Sequence, residues 1–265
     1  MTENIKKLLK KDFSYPDMTK DDFQNKIYEK REFYYHKIPK HEKITSYPEL
    51  KKYREQVCGT NFNLQSHQSL LSNFINPQTP YRGLLIFHGL GSGKTCAGVA
   101  ICENFKNLVQ KYGTKIYILV PGPLMKESWK DEIIKCTKET YLKDFSKTMG
   151  YIDNVEKTKS IKQAKHLAMQ YYRIISYRGF GKKVLGQKII EHSKDEIDGE
   201  MSKSYRKNEQ GEYERDIAVD KIEDLNNTLL IVDEAHNLTN NDYGLAVQKI
   251  IKNSKNLKVI LLTAT

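Results

Sequence analysis

Three short clusters of residues have the types and spacing for chemistry, and the first suits a nucleotide's phosphates. It runs His88-Gly89-Leu90-Gly91-Ser92-Gly93-Lys94-Thr95. Glycines let a backbone curl until several N–H groups converge on phosphate oxygens at a helix N-terminus. In such a loop Gly89, Gly91, Ser92 and Gly93 form the cradle, Lys94 reaches the β- and γ-phosphates, and the Thr95 hydroxyl ligates Mg²⁺. The strict pattern G-x-x-x-x-G-K-[ST] opens on glycine, and His88 stands in that place. The tail Gly91-x-Gly93-Lys94-Thr95, which does the phosphate work, is intact. The plain alternative is a glycine-rich turn carrying a solvated lysine.

The second cluster is Asp233-Glu234-Ala235-His236, directly after the apolar run Leu229–Val232. An acidic pair at the end of a buried strand suits metal-assisted hydrolysis. Asp233 would hold Mg²⁺, partly through water, and Glu234 would orient and polarise the attacking water. Taken alone, Asp-Glu after a strand is equally an ordinary helix N-cap. The third cluster is Thr263-Ala264-Thr265, after Val259–Leu262. It gains meaning only from its order behind the other two.

Residues so far apart can meet only if a fold gathers them. From Asn61 onward, short apolar runs alternate with helical segments. The runs are Leu84–Phe87, Ile116–Val120, Arg173–Ser176, Leu229–Val232 and Val259–Leu262. Runs that are apolar on both faces are what parallel strands between two helical layers require. Helices are expected at Thr95–Tyr112, Leu124–Thr137, Ile161–Tyr171 and Tyr243–Asn253. The alternation predicts an α/β domain with a doubly wound, mostly parallel sheet. Ligands bind such sheets at the carboxyl ends of the strands, where all three clusters fall.

Two stretches depart from this rhythm. Residues 1–60 are charged and Tyr-rich, punctuated by Pro16, Pro39 and Pro48, and read as an extension of short helices, one spanning about Asp21 to Tyr35. Residues from about 181 to 227 are charged, with Gly199 and Gly211, and read as a surface insertion.

Composition narrows the classes further. The 265 residues carry 44 Lys+Arg against 33 Asp+Glu, a formal charge of +11, which suits a phosphate-rich partner as well as simple solubility. No apolar run approaches the ~18–20 residues of a membrane helix. Lys6, Lys7, Lys10 and Lys11 interrupt any signal-like core. Cys58, Cys96, Cys102 and Cys136 show no paired spacing, so they read as small buried thiols in a reducing compartment rather than a disulfide framework or zinc site.

In the order glycine loop, Asp-Glu-Ala-His, Thr-Ala-Thr, the chain resembles the first RecA-like domain of DEAH-type superfamily 2 helicases, whose motifs I, II and III these are. The resemblance implies a RecA-like P-loop NTPase domain over 61–265, with ATP and Mg²⁺ as cofactors. Lys94, Asp233 and Glu234 are then catalytic, His236 lies on the nucleotide side, and Thr263 and Thr265 couple the halves. Leu64-Gln65-Ser66-His67-Gln68 resembles the Q motif, in which Gln68 would read adenine. Val120-Pro121-Gly122-Pro123-Leu124 resembles motif Ia, and Ile175-Ser176-Tyr177 resembles the segment after the next strand. These place Pro121, Gly122 and Ser176 on an RNA or DNA backbone. Trp129 lies in the helix that follows, where packing explains it as well as contact does.

Within the superfamily, Leu85-Ile86-Phe87-His88, Tyr117-Ile118-Leu119-Val120-Pro121 and Ile231-Val232-Asp233-Glu234-Ala235-His236-Asn237 resemble helicase-like ATPases of nucleocytoplasmic large DNA viruses. That group includes the early transcription factor small subunit and the nucleoside triphosphate phosphohydrolase. The likeness implies the ATP-binding half of a helicase or translocase serving viral transcription, located in host cytoplasm or virion, without a membrane and monomeric as a fragment. The second RecA-like domain, with its arginine finger, is absent from these residues, so a fragment of a longer protein is expected. A non-catalytic, nucleotide-gated scaffold of a transcription complex is the alternative; a small-molecule kinase is disfavoured by the second and third clusters.

Overall fold

The computed structural model describes residues 14–36, 44–57, 64–89, 91–137, 140–142, 154–186, 189–193, 206–207, 213–217 and 221–264. Cys58, Leu90 and Thr265 lie outside them. A five-stranded parallel sheet forms the frame: β1 (Gly83–Phe87), β2 (Ile116–Val120), β3 (Tyr172–Ser176), β7 (Leu229–Asp233) and β8 (Lys258–Thr263). Their order across the sheet is β1-β8-β7-β2-β3. Every pairing is parallel, and Val232 lies level with Leu119 on one side and Leu261 on the other. This is the expected α/β architecture.

Strand side chains alternate between two cores, as a two-residue period demands. Ile116, Ile118 and Val120 of β2, Leu229 and Ile231 of β7, and Ile260 and Leu262 of β8 enter one. Leu119, Leu230 and Val232 enter the other. The first core is covered by α5 (Lys94–Glu103), α7 (Pro123–Cys136) and α8 (Asn154–Ala168), the second by α9 (Tyr177–Leu185) and α10 (Asp242–Asn253).

Several expectations are corrected. Strand β1 is not buried on both faces, because it is the sheet's edge; Leu85 and Phe87 are largely exposed. The long helix expected from Thr95 to Tyr112 divides into α5 and α6 (Lys106–Tyr112). Phe105 is fully buried at the break, and the Asn104 amide donates to the Ser72 carbonyl at 2.8 Å. The 181–227 stretch is not surface throughout: Val184, Ile222 and Leu225 are buried in the second core. Inside it lies a small antiparallel sheet, β4 (Ile189–Ser193), β6 (Tyr213–Ile217) and β5 (Arg206–Lys207). The cysteines are corrected too. Cys96 on α5 and Cys136 on α7 form a disulfide, with Cα atoms 5.4 Å apart across the helix interface. Forty residues separate them in sequence, so no local spacing betrays the pair. Cys102 remains a buried thiol, its pKa pushed well up by burial.

The described part of the extension packs on the domain through aromatic rings. Short helices α1 (Phe23–Tyr28) and α2 (Arg31–Tyr34) place Phe23 and Phe33 against Phe74, which stacks on Tyr81 with ring centres 4.4 Å apart. Helix α3 (Tyr47–Val57) follows, then α4 (Ser66–Phe74) leads into β1. Lys258, at the start of β8, is buried and donates to the carbonyls of Thr79 and Tyr81, locking the turn before β1. No helix among the described residues is long and apolar enough to cross a membrane.

Candidate functional site

The glycine loop leaves the C-terminal end of β1, beside β8. The His88 N–H donates to the Thr263 carbonyl at 3.1 Å, extending the β1–β8 ladder by one bond. At the other end Gly93 takes φ +77° and caps α5. Only glycine suits that place, since a Cβ there would also lie 2.5 Å from the Gln68 Nε2. Ser92 closes the loop by donating its hydroxyl to the Gly89 carbonyl at 2.7 Å. Thr95 stands in the first turn of α5, half-buried.

Gln68 lies beneath this loop rather than in an open cleft. Its Nε2 donates to the Gly93 carbonyl at 3.0 Å, and its Oε1 accepts from the Gln65 N–H at 2.8 Å. Each end of the amide keeps one further hydrogen-bonding position. The side chain next to it, His67, meets His88 edge-to-face, with ring centres 5.3 Å apart. Burial, then His67 and Lys94, hold the His88 pKa below the usual imidazole value. His88 thus stands neutral where a charged ring would crowd Lys94.

Across 140 residues the fold brings Lys94 to the acidic pair. Its Nζ lies 2.6 Å from Glu234 Oε1 and 3.8 Å from Asp233 Oδ1. Asp233 ends the fully buried strand β7 and is itself only 2% exposed. Burial raises its pKa, while the Trp129 hydrogen bond and the Lys94 charge pull it back down. Its Oδ1 is buried without a hydrogen-bond donor. A buried carboxylate oxygen lacking a donor is costly unless a cation meets it. In this structure the Lys94 ammonium is the cation that faces Oδ1; once Lys94 turned to a phosphate, the same oxygen would suit a hard divalent ion such as Mg²⁺, with the Thr95 hydroxyl as the second candidate ligand.

Glu234 adopts φ +55°, a left-handed conformation that a non-glycine residue holds at a cost of about 1–3 kcal/mol. The turn is held by Tyr177, whose hydroxyl donates to the carbonyls of both Asp233 and Glu234. This twist ends β7 and starts the 3-10 turn Ala235–Leu238. Glu234 occupies the N-cap position of that turn, but its side chain makes no capping bond and pairs with Lys94 instead. His236 Nδ1 lies 3.1 Å from Thr263 Oγ1 and 3.6 Å from Glu234 Oε2, joining the acidic turn to the end of β8.

The three candidate nucleic-acid positions share the carboxyl end of the sheet. Val120 pairs with Ser176 in register, so Pro121 and Ser176 leave adjacent strands side by side. Gly122 caps α7, and Leu124 beside it is 87% exposed. The Ser176 hydroxyl accepts from the Gly179 N–H at 3.3 Å, which gives it a capping role on α9.

Two residues named in the sequence have partners at the site that their positions did not reveal. Trp129 donates its indole N–H to Asp233 Oδ2 at 2.8 Å, and Tyr177 clamps the acidic turn. Neither carries a local signal, because each reaches its partner across more than fifty residues. A separate apolar cavity of about 410 Å³, lined by Leu84, Leu85, Ile251 and Leu261 among others, borders β1 and includes none of the glycine-loop residues.

Residues 50–265 match the family described as "Type III restriction enzyme, res subunit". Over 262 residues, 99% of the chain, it is 53% identical to the "Putative ATP-dependent RNA helicase L377" of Acanthamoeba polyphaga mimivirus, of which it covers 23%. It is 31% identical over 259 residues to the "Putative ATP-dependent RNA helicase R563" of the same virus, covering 95% of this chain and 36% of that one. The "Putative helicase 087L" of Invertebrate iridescent virus 3 is 30% identical over 219 residues, 77% of this chain and 18% of its own length. The chain thus spans about a fifth to a third of the length of these relatives. On the match to residues 50–265, and with the parallel sheet that carries its motifs, the chain belongs to the type III restriction enzyme res-subunit family of superfamily 2 helicase domains, alongside helicase-like proteins of large DNA viruses.

Proposed function

We propose that the chain is the ATP-binding half of an ATP-dependent nucleic-acid helicase or translocase, one that serves viral transcription. The observation that carries this reading is the convergence of Lys94, Asp233 and Glu234 at the mouth of the glycine loop. Two relatives named as ATP-dependent RNA helicases support ATP as the nucleotide.

Lys94 has two partners in turn. Without nucleotide it neutralises Glu234; with nucleotide its ammonium would move to the phosphates at the N-terminus of α5, where a helix favours anions. That move frees the Glu234 carboxylate to orient a water against the terminal phosphate. Asp233 and Thr95 would hold Mg²⁺, which supplies charge neutralisation for the departing phosphoryl group. His236, bonded to Thr263, would pass the state of this turn to the end of β8. Pro121, Gly122 and Ser176 would meet the RNA or DNA backbone at the same sheet edge.

Turnover by the longer protein, measured with RNA, single-stranded DNA and duplex DNA, tests the reading. Stimulation by any of them supports a translocase. Nucleotide binding with no hydrolysis under any condition would overturn it in favour of a nucleotide-gated scaffold.

A further inference from the structure

We infer that Trp129 is a positioning residue for the metal-binding carboxylate: its indole N–H holds Asp233 Oδ2 so that Oδ1 faces the metal position. The inference rests on the nucleotide-site reading above and adds to it a residue outside the three motif clusters. Trp129 is 1% exposed, and its Nε1 lies 2.8 Å from Asp233 Oδ2. The other oxygen, Oδ1, has no donor and points to the side where Lys94 Nζ stands 3.8 Å away. A carboxylate can turn about its last torsion, which is broad and two-fold. One bonded oxygen stops that turn, and the indole is a donor only, so it cannot be displaced by inverting the bond.

The ring is enclosed by its neighbours. It packs over Gly98 of α5, where an added Cβ would lie 3.1 Å from Trp129 Cη2 and 3.3 Å from Leu262 Cδ1. Glycine at 98 is therefore what admits the indole between the loop's helix and the sheet. The Cys96–Cys136 bridge ties the same two helices. Helix α7, which carries Trp129, begins at Gly122-Pro123, the candidate backbone-contact turn. One hydrogen bond thus joins the helix leaving that turn to the metal carboxylate.

The test uses the 265-residue chain, with Mg²⁺ titrated against a fixed, non-hydrolysed ATP analogue or ADP. Trp129→Phe keeps most of the ring and removes the N–H. It should leave nucleotide binding in EDTA within about twofold and raise the Mg²⁺ concentration at half-saturation about tenfold, the scale of one hydrogen bond to a charged group. The chain has one tryptophan, so its emission reports on the surroundings of this one indole. In the wild type, emission should change when Mg²⁺ is added with nucleotide, and stay unchanged with nucleotide in EDTA. An unaltered Mg²⁺ half-saturation in the Phe variant, or emission blind to Mg²⁺ while binding depends on it, overturns the role of Trp129 alone. If the Phe variant does not fold, the wild-type emission decides. No nucleotide binding by the folded wild type, with or without Mg²⁺, overturns the site reading as well.

Discussion

Lys94 and Glu234, 140 residues apart, form an ion pair at 2.6 Å that closes the glycine loop onto the acidic turn. Lys94 is 13% exposed and Glu234 27%, so the pair is only partly screened by water. On the function proposed above, the pair must open before Lys94 can meet a phosphate and Glu234 can orient a water.

Glu234→Gln removes the competing charge and the group that orients water. Nucleotide affinity should be at least that of the wild type, while turnover of the longer protein falls by ~10²–10⁴. Titration calorimetry beside steady-state hydrolysis reads both. A variant with near-normal turnover would remove Glu234 from the chemistry.

Lys94→Ala leaves the helix and the glycines but deprives the phosphates of their cation. Binding of Mg-ATP or Mg-ADP should be lost in calorimetry and in thermal shift. Equal affinity in the variant would mean that the loop does not hold phosphate.

Residues 1–265 alone should bind nucleotide and hydrolyse it little. None of the hydrogen bonds or ion pairs of Lys94, Asp233 and Glu234 described above involves an arginine, and such a group is worth ~10³–10⁵ in phosphoryl transfer. The chain's rate should be compared with that of the longer protein, each with and without nucleic acid. Robust, stimulated turnover by the chain would show that an arginine within it completes the site.

The Cys96–Cys136 bridge closes a loop across a sequence separation of 40. The chain-entropy estimate gives it about 3–4 kcal/mol of stability. Urea unfolding with and without reductant should differ by that order, and Cys136→Ser should abolish the difference. Two free thiols at these positions in unreduced protein, by mass spectrometry after alkylation, would refute the bridge.

Lys258 gives a pH dependence with a definite sign. Burial, then Arg82, bring its pKa down from 10.5 to about 8 in the folded chain. Between those values the unfolded chain binds the more protons, so this group's contribution to stability rises with pH from about 8 to about 10.5. Buried tyrosines with raised pKa values, such as Tyr177, act in the opposite direction above pH 10. The comparison is therefore made between wild type and Lys258→Met from pH 7.5 to 9.5. The wild type should gain on the variant as pH rises. A constant difference would mean that its carbonyl partners hold the ammonium charged throughout.

The parallel sheet was legible because buried strands need unbroken apolar runs, and Ile116–Val120 and Leu229–Val232 have them. The glycine loop stands out in the sequence because its candidate phosphate-binding residues are adjacent. The edge position of β1 was not legible: Leu85 and Phe87 have the same residue types as buried strand positions, yet among the described residues β1 has a strand neighbour on one side only and both side chains are exposed. Trp129, Tyr177 and the Cys96–Cys136 pair were hidden for a related reason. A hydrogen bond or disulfide depends on distance and direction in space, and sequence separations of 104, 56 and 40 carry neither. Residue order was enough to mark the candidate residues and to put them at the ends of particular strands, because apolar runs and adjacent motifs are local. Tertiary structure alone decided that Lys94 faces Glu234, that an indole aims the Asp233 carboxylate, and that Gln68 supports the loop from below.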